Sequence, residues 1–307
     1  MIEDCVRFSS EYLASLLAHR RLAQAIIRAK GGISSTEYGI LSLAQRTVEY
    51  TPTIKSVSTL LLLQPRTVQL ATGKLATRGY ISKGLSELDR REVVIERTLS
   101  GTTLLGEVQR HLSNIFEETL FAHIPIEERG AILPLIYEKV SLTSGSKESG
   151  EIVPPHQAIP PTFFAGIAKT LRVYEQVLAE QFDLTLNGYR LIDCLSEEES
   201  ATLSDVARFL RIQNSVVTAE RYLLETRGLL ALRPSSSGPS AAKLMITKQG
   251  KALAGEAFEL LSRTTRKMNE GIDSSMARKI NAWHMRMYCD LDIADGEVAR
   301  LRREAAK

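Results

Sequence analysis

Cysteine is almost missing from this chain. Cys5, Cys194 and Cys289 are its three cysteines and they lie far apart. An odd, unclustered set argues against a disulfide framework and against a cysteine zinc site. Glycine and proline are also scarce, 19 and 10 among 307 residues, and aromatics make up 6%. That balance leans helical. No apolar run is long enough to span a bilayer. The N-terminus has acidic residues before any apolar run and carries no leader pattern, so a reducing, cytoplasmic setting is expected. Neither sign of charge dominates: 39 Lys and Arg face 36 Asp and Glu, for a formal net charge of +3. Such a balance permits nucleic-acid binding without demanding it, because local distribution matters more than the sum. The histidines His19, His111, His123, His156 and His284 have no close metal-ligand spacing. No glycine-rich phosphate loop follows a strand. No catalytic constellation, cofactor site or metal site is read, and an enzyme is not expected.

What the chain does have is a large internal repeat. The stretch Ile54 to Glu107 recurs without a gap 149 positions further on, as Leu203 to Glu256. Val57 meets Val206, Leu61 meets Leu210, Gln64 meets Gln213 and Val68 meets Val217. Leu75, Thr77, Arg78 and Gly79 meet Leu224, Thr226, Arg227 and Gly228. Thr98 and Gly101 meet Thr247 and Gly250. The unit is domain-sized, so this is a duplication and not a solenoid. With 44% of residues apolar, both copies can build a core. The expected division is a first domain over 1–140, a linker over 141–161 and a second domain over 162–307. The linker is rich in serine, glycine, lysine and glutamate, then in Pro154-Pro155 and Pro160-Pro161, and cannot form a core.

Periodicity predicts a long first helix from Cys5 to Lys30, stopped by Gly31-Gly32. A second helix covers Ser34 to Ala44, with Glu37 placed to close a capping box from Ser34. Thr53 caps a short helix through Leu61, and Thr202 caps its counterpart with Asp205 three residues on. Pro65 suits the first position of the next helix, which Gly79 ends. Two short helices joined by a tight link make a helix-turn-helix. Strands at 80–82 and 93–95 then form a hairpin with an exposed tip. Helices follow from Thr102 to about Phe121 and from Pro125 to Val140. The second copy repeats the plan: helices at 163–182 and 184–195, a hairpin over 229–246, a helix from Lys248 and another near 276–290. The arginine-rich end from Val298 is expected to fray.

Helix-turn-helix followed by hairpin is the winged-helix order. The chain resembles the MarR family of bacterial transcriptional regulators on particular residues. These are Ile33-Ser34-Ser35-Thr36-Glu37, Leu75-Ala76-Thr77-Arg78-Gly79-Tyr80-Ile81, Leu88-Asp89-Arg90-Arg91 and Thr98-Leu99-Ser100-Gly101. The second copy retains Leu184-Thr185, Leu224 to Leu230 and Ile246-Thr247-Lys248-Gln249-Gly250. The resemblance implies a mainly α fold with small β-hairpin wings. It also implies two winged helix-turn-helix domains forming an intramolecular pseudo-dimer, since such proteins are usually homodimers joined by their first and last helices. It further implies a DNA-binding, nucleoid-associated repressor. A small-molecule effector would bind between the helical interface and each DNA-binding lobe. Asp89 would orient an arginine of the wing tip, although a plain turn former is the alternative. Some relatives sense peroxides through a cysteine near the first helix, which brings Cys5 forward against the alternative of an inert thiol. The second wing departs from the pattern: Gly238-Pro239-Ser240 stand where the first has Asp89-Arg90-Arg91.

A recognition helix puts its N-terminal residues against base edges in the major groove. In the first copy, spacing places Arg66, Thr67, Gln69 and Thr72 outward, with Lys74 directed at phosphate. In the second, Gln213, Asn214, Ser215, Thr218 and Arg221 take that part. Arg90 and Arg91 suit the minor groove or phosphates, and Lys243 offers a phosphate contact from the second wing. The helix starts at Thr53 and Thr202 aim N–H groups at phosphate, or serve as caps alone. Any one of these residues is equally explained as solvated surface; the set within a repeated winged helix points to duplex DNA. The rival is a protein-interaction module on a winged-helix frame without DNA binding. From Gln64 to Arg91 there are six basic and two acidic residues, against three and two from Gln213 to Ser240. The second half is therefore expected to grip DNA more weakly.

Overall fold

The computed structural model describes residues 5–46, 50–86, 90–122, 125, 161–198, 200–234 and 242–305. They fall into two compact units, each drawn from more than one stretch of chain. One unit comprises Ser15–Leu171 with Asp273–Lys307, and the other Cys5–Ala14 with Arg172–Ile272. The helix expected over 125–140 and the linker lie outside the described residues, apart from Pro125 and Pro161.

The first unit holds most of α1 (Ser10–Gly31), then α2 (Ser35–Leu43), α3 (Ile54–Leu61), α4 (Pro65–Thr77), β1 (Ile81–Leu85), β2 (Val93–Arg97) and α5 (Leu99–Glu118). Helix α1 starts five residues later than its apolar stripe suggests. Ser9 Oγ accepts the N–H of Tyr12 at 3.1 Å and so caps the helix at that point. Gly32, at φ 59, turns the chain out of α1. Ser34 and Glu37 then form the expected capping box: Glu37 N–H donates to Ser34 Oγ at 3.2 Å and Ser34 N–H to Glu37 Oε2 at 2.7 Å. Helix α5 begins three residues before Thr102, because Thr98 Oγ1 accepts the N–H of Gly101 at 3.1 Å. Gly101 has no alternative: a Cβ there would lie 2.1 Å from the Tyr80 carbonyl oxygen.

The second unit contains the rest of α6 (Pro161–Phe182), then α7 (Leu186–Glu198), β3 (Ser200–Thr202), α8 (Leu203–Leu210), α9 (Asn214–Thr226), β4 (Leu230–Arg233), β5 (Lys243–Ile246) and α10 (Lys248–Met268). Its sheet order is β3-β5-β4. Strand β3 was not expected, yet its first-copy counterpart exists as an isolated bridge. Thr202 pairs with Lys243, and Thr53 bridges Val94 at the same 149-residue offset.

The chain closes in α11 (Ser274–Cys289) and α12 (Leu291–Ala305), both in the first unit. The expected fraying from Val298 is corrected here. Val298 and Leu301 are buried, Asp295 pairs with Arg21 at 2.9 Å, and Glu304 pairs with Lys30 at 2.5 Å. An arginine-rich helix can thus be held by one apolar stripe while its cations face out. Deep in this unit His19 and His284 are buried together, with Ser15 Oγ 2.5 Å from His284 Nδ1. His19 Nδ1 lies 2.7 Å from the Ser15 carbonyl oxygen. Burial pushes His19 down to about 4 and, helped by its neighbour His19, His284 down to about 3.

Candidate nucleic-acid interface

Each unit contains a helix-turn-helix and wing of matching construction. Leu62 (φ 50) and Arg211 (φ 55) are left-handed residues that end α3 and α8. Gly79 (φ 73) and Gly228 (φ 69) turn the chain from α4 and α9 into their hairpins. Thr98 Oγ1 donates to the Gly79 carbonyl at 2.7 Å, and Thr247 Oγ1 to that of Gly228 at 2.8 Å. A Cβ at Gly250 would lie 2.1 Å from the Leu229 carbonyl oxygen, as at Gly101 with Tyr80. Arg78 donates to the Gly32 carbonyl at 3.1 Å and lies over the Tyr80 ring. Arg227 donates to the carbonyls of Asp183 and Phe182 at 2.5 and 2.7 Å. Both arginines therefore satisfy carbonyls beside a helix C-terminus.

On α4, the residues Val68, Ala71, Thr72 and Leu75 are buried, at spacings of three and four. The opposite face exposes Arg66, Gln69 and Lys74, and Thr67 near the N-terminus is exposed as well. Helix α4 contains no acidic residue. Lys83, on β1, brings its Nζ to 3.9 Å from where a Gly73 Cβ would stand. Arg90 and Arg91 are exposed beside the hairpin tip. Beside the C-terminal half of α4 lies an open cleft of about 550 Å³, lined by Arg28, Gly32, Glu37, Lys74 and Arg78 among others.

Two residues expected to face outward do not. Thr72 is fully buried, and its hydroxyl has no hydrogen-bond partner. Arg221 occupies the same position in the second copy. It is half-buried, lies over the Tyr222 ring and pairs with Glu225 at 3.3 Å. Both stand four residues after a buried valine, Val68 or Val217, and so fall on the stripe that faces the core. Thr53 takes the capping role that was its alternative reading. It is buried, and its hydroxyl accepts the Ser56 N–H at 3.1 Å while Ser56 Oγ accepts the Thr53 N–H at 2.9 Å. That reciprocal cap takes the N–H groups of Thr53 and Ser56, two of the donors at this helix start. Thr202 is half-buried and caps α8. Its hydroxyl donates to Asp205 Oδ2 at 2.7 Å, and this bond, followed by the nearby Arg208 and Lys243 charges, holds the Asp205 carboxyl below the usual range. A carboxylate at that helix start opposes a phosphate there.

Asn214, Ser215 and Thr218 are exposed on α9, Gln213 is exposed at its N-cap, and Lys243 is exposed on β5. The Thr218 hydroxyl donates back to the Asn214 carbonyl at 2.9 Å. Asp89 and the second wing tip, 235–240, lie outside the described residues. Cys5 is half-buried and precedes α1, outside the helix. Among the described residues no group of three or more His, Cys, Asp or Glu could hold a metal ion. No described helix is long and apolar enough to cross a membrane. Leu70 and Lys83 are also exposed, and neither was expected at this surface. Leu70 is 63% exposed, and its place between Arg66 and Lys74 at four-residue spacing was the available signal.

No protein-family model matches the chain, and no curated protein does. Several solved structures are similar to part of it, among them one described as a transcriptional regulator and one as a multiple antibiotic resistance repressor. The regulator BldR from Sulfolobus solfataricus is 20% identical over 34% of this chain and 73% of its own, with a TM-score of 0.32. Overoxidized AbfR bound to DNA is 26% identical over 31% of this chain and 68% of its own, at 0.29. FabT from Streptococcus pneumoniae in complex with DNA is 19% identical over 40% of this chain and 87% of its own, at 0.35. At these scores the likeness carries no argument by itself. Helix-turn-helix, antiparallel hairpin and capped following helix, present in each unit, are what support a winged-helix assignment.

Proposed function

We propose that this chain is a sequence-specific winged-helix regulator of transcription that binds duplex DNA as a MarR-like repressor at the nucleoid. Residues 1–140 and 162–307 are its two repeats, joined by 141–161, so that one chain does the work of a dimer. The observation that carries this reading is the exposed face of α4. It bears Arg66, Gln69 and Lys74, holds no carboxylate, and is accompanied by exposed arginines beside the wing tip. An anionic small molecule suits the cleft between Arg28, Lys74 and Arg78 as an effector.

Selection from random duplexes with the full chain tests the reading, followed by equilibrium titration across a salt series. A defined site should emerge, and six to ten phosphate contacts should cost about three to five decades of affinity between 50 and 200 mM salt. In sedimentation at nanomolar protein the DNA-binding species should run near one chain, 34.0 kDa; an obligate dimer there defeats the one-chain part. A second reading, a protein-contact surface on the second lobe, is favoured by exposed Phe209, Tyr222 and Leu223. Affinity that barely changes with salt would select it.

A further inference from the structure

We propose that Leu70 reads the C5-methyl group of one thymine in the half-site met by the first lobe. The assignment rests on the DNA-binding reading above. Leu70 is 63% exposed on the outward face of α4. Arg66 and Lys74 flank it one turn before and one turn after, and both are exposed. Gly73 lies on the same face three residues on, with the Lys83 ammonium 3.9 Å from the place of its absent Cβ. A large exposed aliphatic side chain thus shares a helix face with Arg66 and Lys74, one turn to either side, and the helix has no acidic residue. A protein partner that needed this leucine would want a wider apolar patch around it. A polyanion that offers a single apolar group in an otherwise polar groove fits better. In the major groove of B-DNA that group is the thymine methyl, beside acceptors suited to arginine.

The second lobe lacks these features. The positions of Arg66, Leu70, Gly73 and Lys74 are taken by Ser215, Ala219, Tyr222 and Leu223. Ala219 is three carbons shorter than Leu70, so the larger methyl requirement is expected in the half-site met by the first lobe.

The test uses the full chain and a duplex it selects from a random pool. Each thymine is replaced singly by deoxyuridine, which removes the methyl and keeps the hydrogen-bonding edge. Wild type should lose about fourfold in affinity, the worth of one buried methyl, at one position or two adjacent ones within one half-site. L70A should show no loss at those positions and should keep the wild-type salt slope on unrelated DNA, which checks that it is folded. Uracil tolerance by wild type throughout the site overturns the assignment and leaves DNA binding standing. Equal sensitivity of L70A and wild type overturns it as well. Failure to enrich any duplex removes the DNA-binding reading, and the leucine assignment with it. Saturable binding of an acidic protein partner through Leu70, with uracil-insensitive DNA binding, replaces it by a protein contact.

Discussion

Helices α4 and α9 are built alike below the surface and unlike above it. Val68, Leu75 and their counterparts Val217 and Leu224 are buried in both, and each helix ends at an arginine followed by a positive-φ glycine. On the outer face Arg66 becomes Ser215, Gln69 becomes Thr218, Gly73 becomes Tyr222 and Lys74 becomes Leu223. Cations leave and apolar groups arrive, so Tyr222 is 65% and Leu223 56% exposed. A buried side chain touches many others and cannot drift alone. A surface side chain costs little to change, so its identity answers to what the surface meets. One buried frame thus carries two outer faces of different chemistry.

Acid should separate the two units most strongly. His19 and His284 in the first unit have folded values near 4 and 3, below the ordinary 6.5, because burial disfavours the charged ring. Their contribution is full above about pH 6.5 and is lost as pH falls towards 4, since the unfolded state binds the protons first. In the second unit, burial raises the Asp193 carboxyl, although Ser10 and Tyr189 hydrogen bonds oppose the shift. A raised carboxyl gains relative stability in acid. Amide exchange read by mass spectrometry should therefore show the described helices of the first unit, α2, α5, α11 and α12, losing protection between pH 6.5 and 4.5 before α7 and α10 of the second. Simultaneous loss would break this contrast.

Next in size is a test of sameness. G101A and G250A should each destabilise by about 1–3 kcal/mol, the usual cost of overpacking, because each new Cβ meets a carbonyl oxygen at 2.1 Å. Chemical denaturation followed by unit-resolved exchange should place each loss in its own unit. A harmless substitution at either glycine would show that the frames are not equivalent there.

The wing comparison should be smaller in free energy but direct. R90A/R91A should weaken binding to a selected duplex and reduce the salt slope by up to about two phosphate contacts. R221A should leave that slope unchanged, since its guanidinium pairs with Glu225, and should lower thermal stability instead. Equal loss of DNA affinity in the two variants contradicts the asymmetry.

Smallest of all, T72V should stabilise by about 1 kcal/mol, because it replaces a buried hydroxyl without a partner by an isosteric methyl. DNA affinity should stay unchanged. A drop in affinity with stability intact would restore Thr72 to the DNA-facing side.

Much of the frame was legible before any coordinates. Ser34 with Glu37, Thr53 and Thr202 as caps, Pro65 at a first helical position, and Gly79 as a helix end all lie where their local chemistry puts them, whereas the Thr98 cap that starts α5 was not anticipated. The exposure of Arg66, Thr67, Gln69, Lys74, Gln213, Asn214, Ser215 and Thr218 was legible too. Thr72 and Arg221 were misread, although counting four from Val68 and Val217 already placed them on the core stripe. Leu70 was passed over because an apolar residue reads as core until its neighbours are seen in space.

The sequence by itself determined the repeat, the start and stop of most helices and the charge contrast between the two faces. Caps and turns are contracts among residues a few positions apart, and their hydrogen bonds are written into adjacent side chains. Only the tertiary structure decided that the arginine-rich end is a held helix, that β3 joins the second sheet, and that His284 lies against Ser15, 269 residues away in sequence. Those outcomes depend on which distant surface covers an apolar stripe, and no local pattern carries that information.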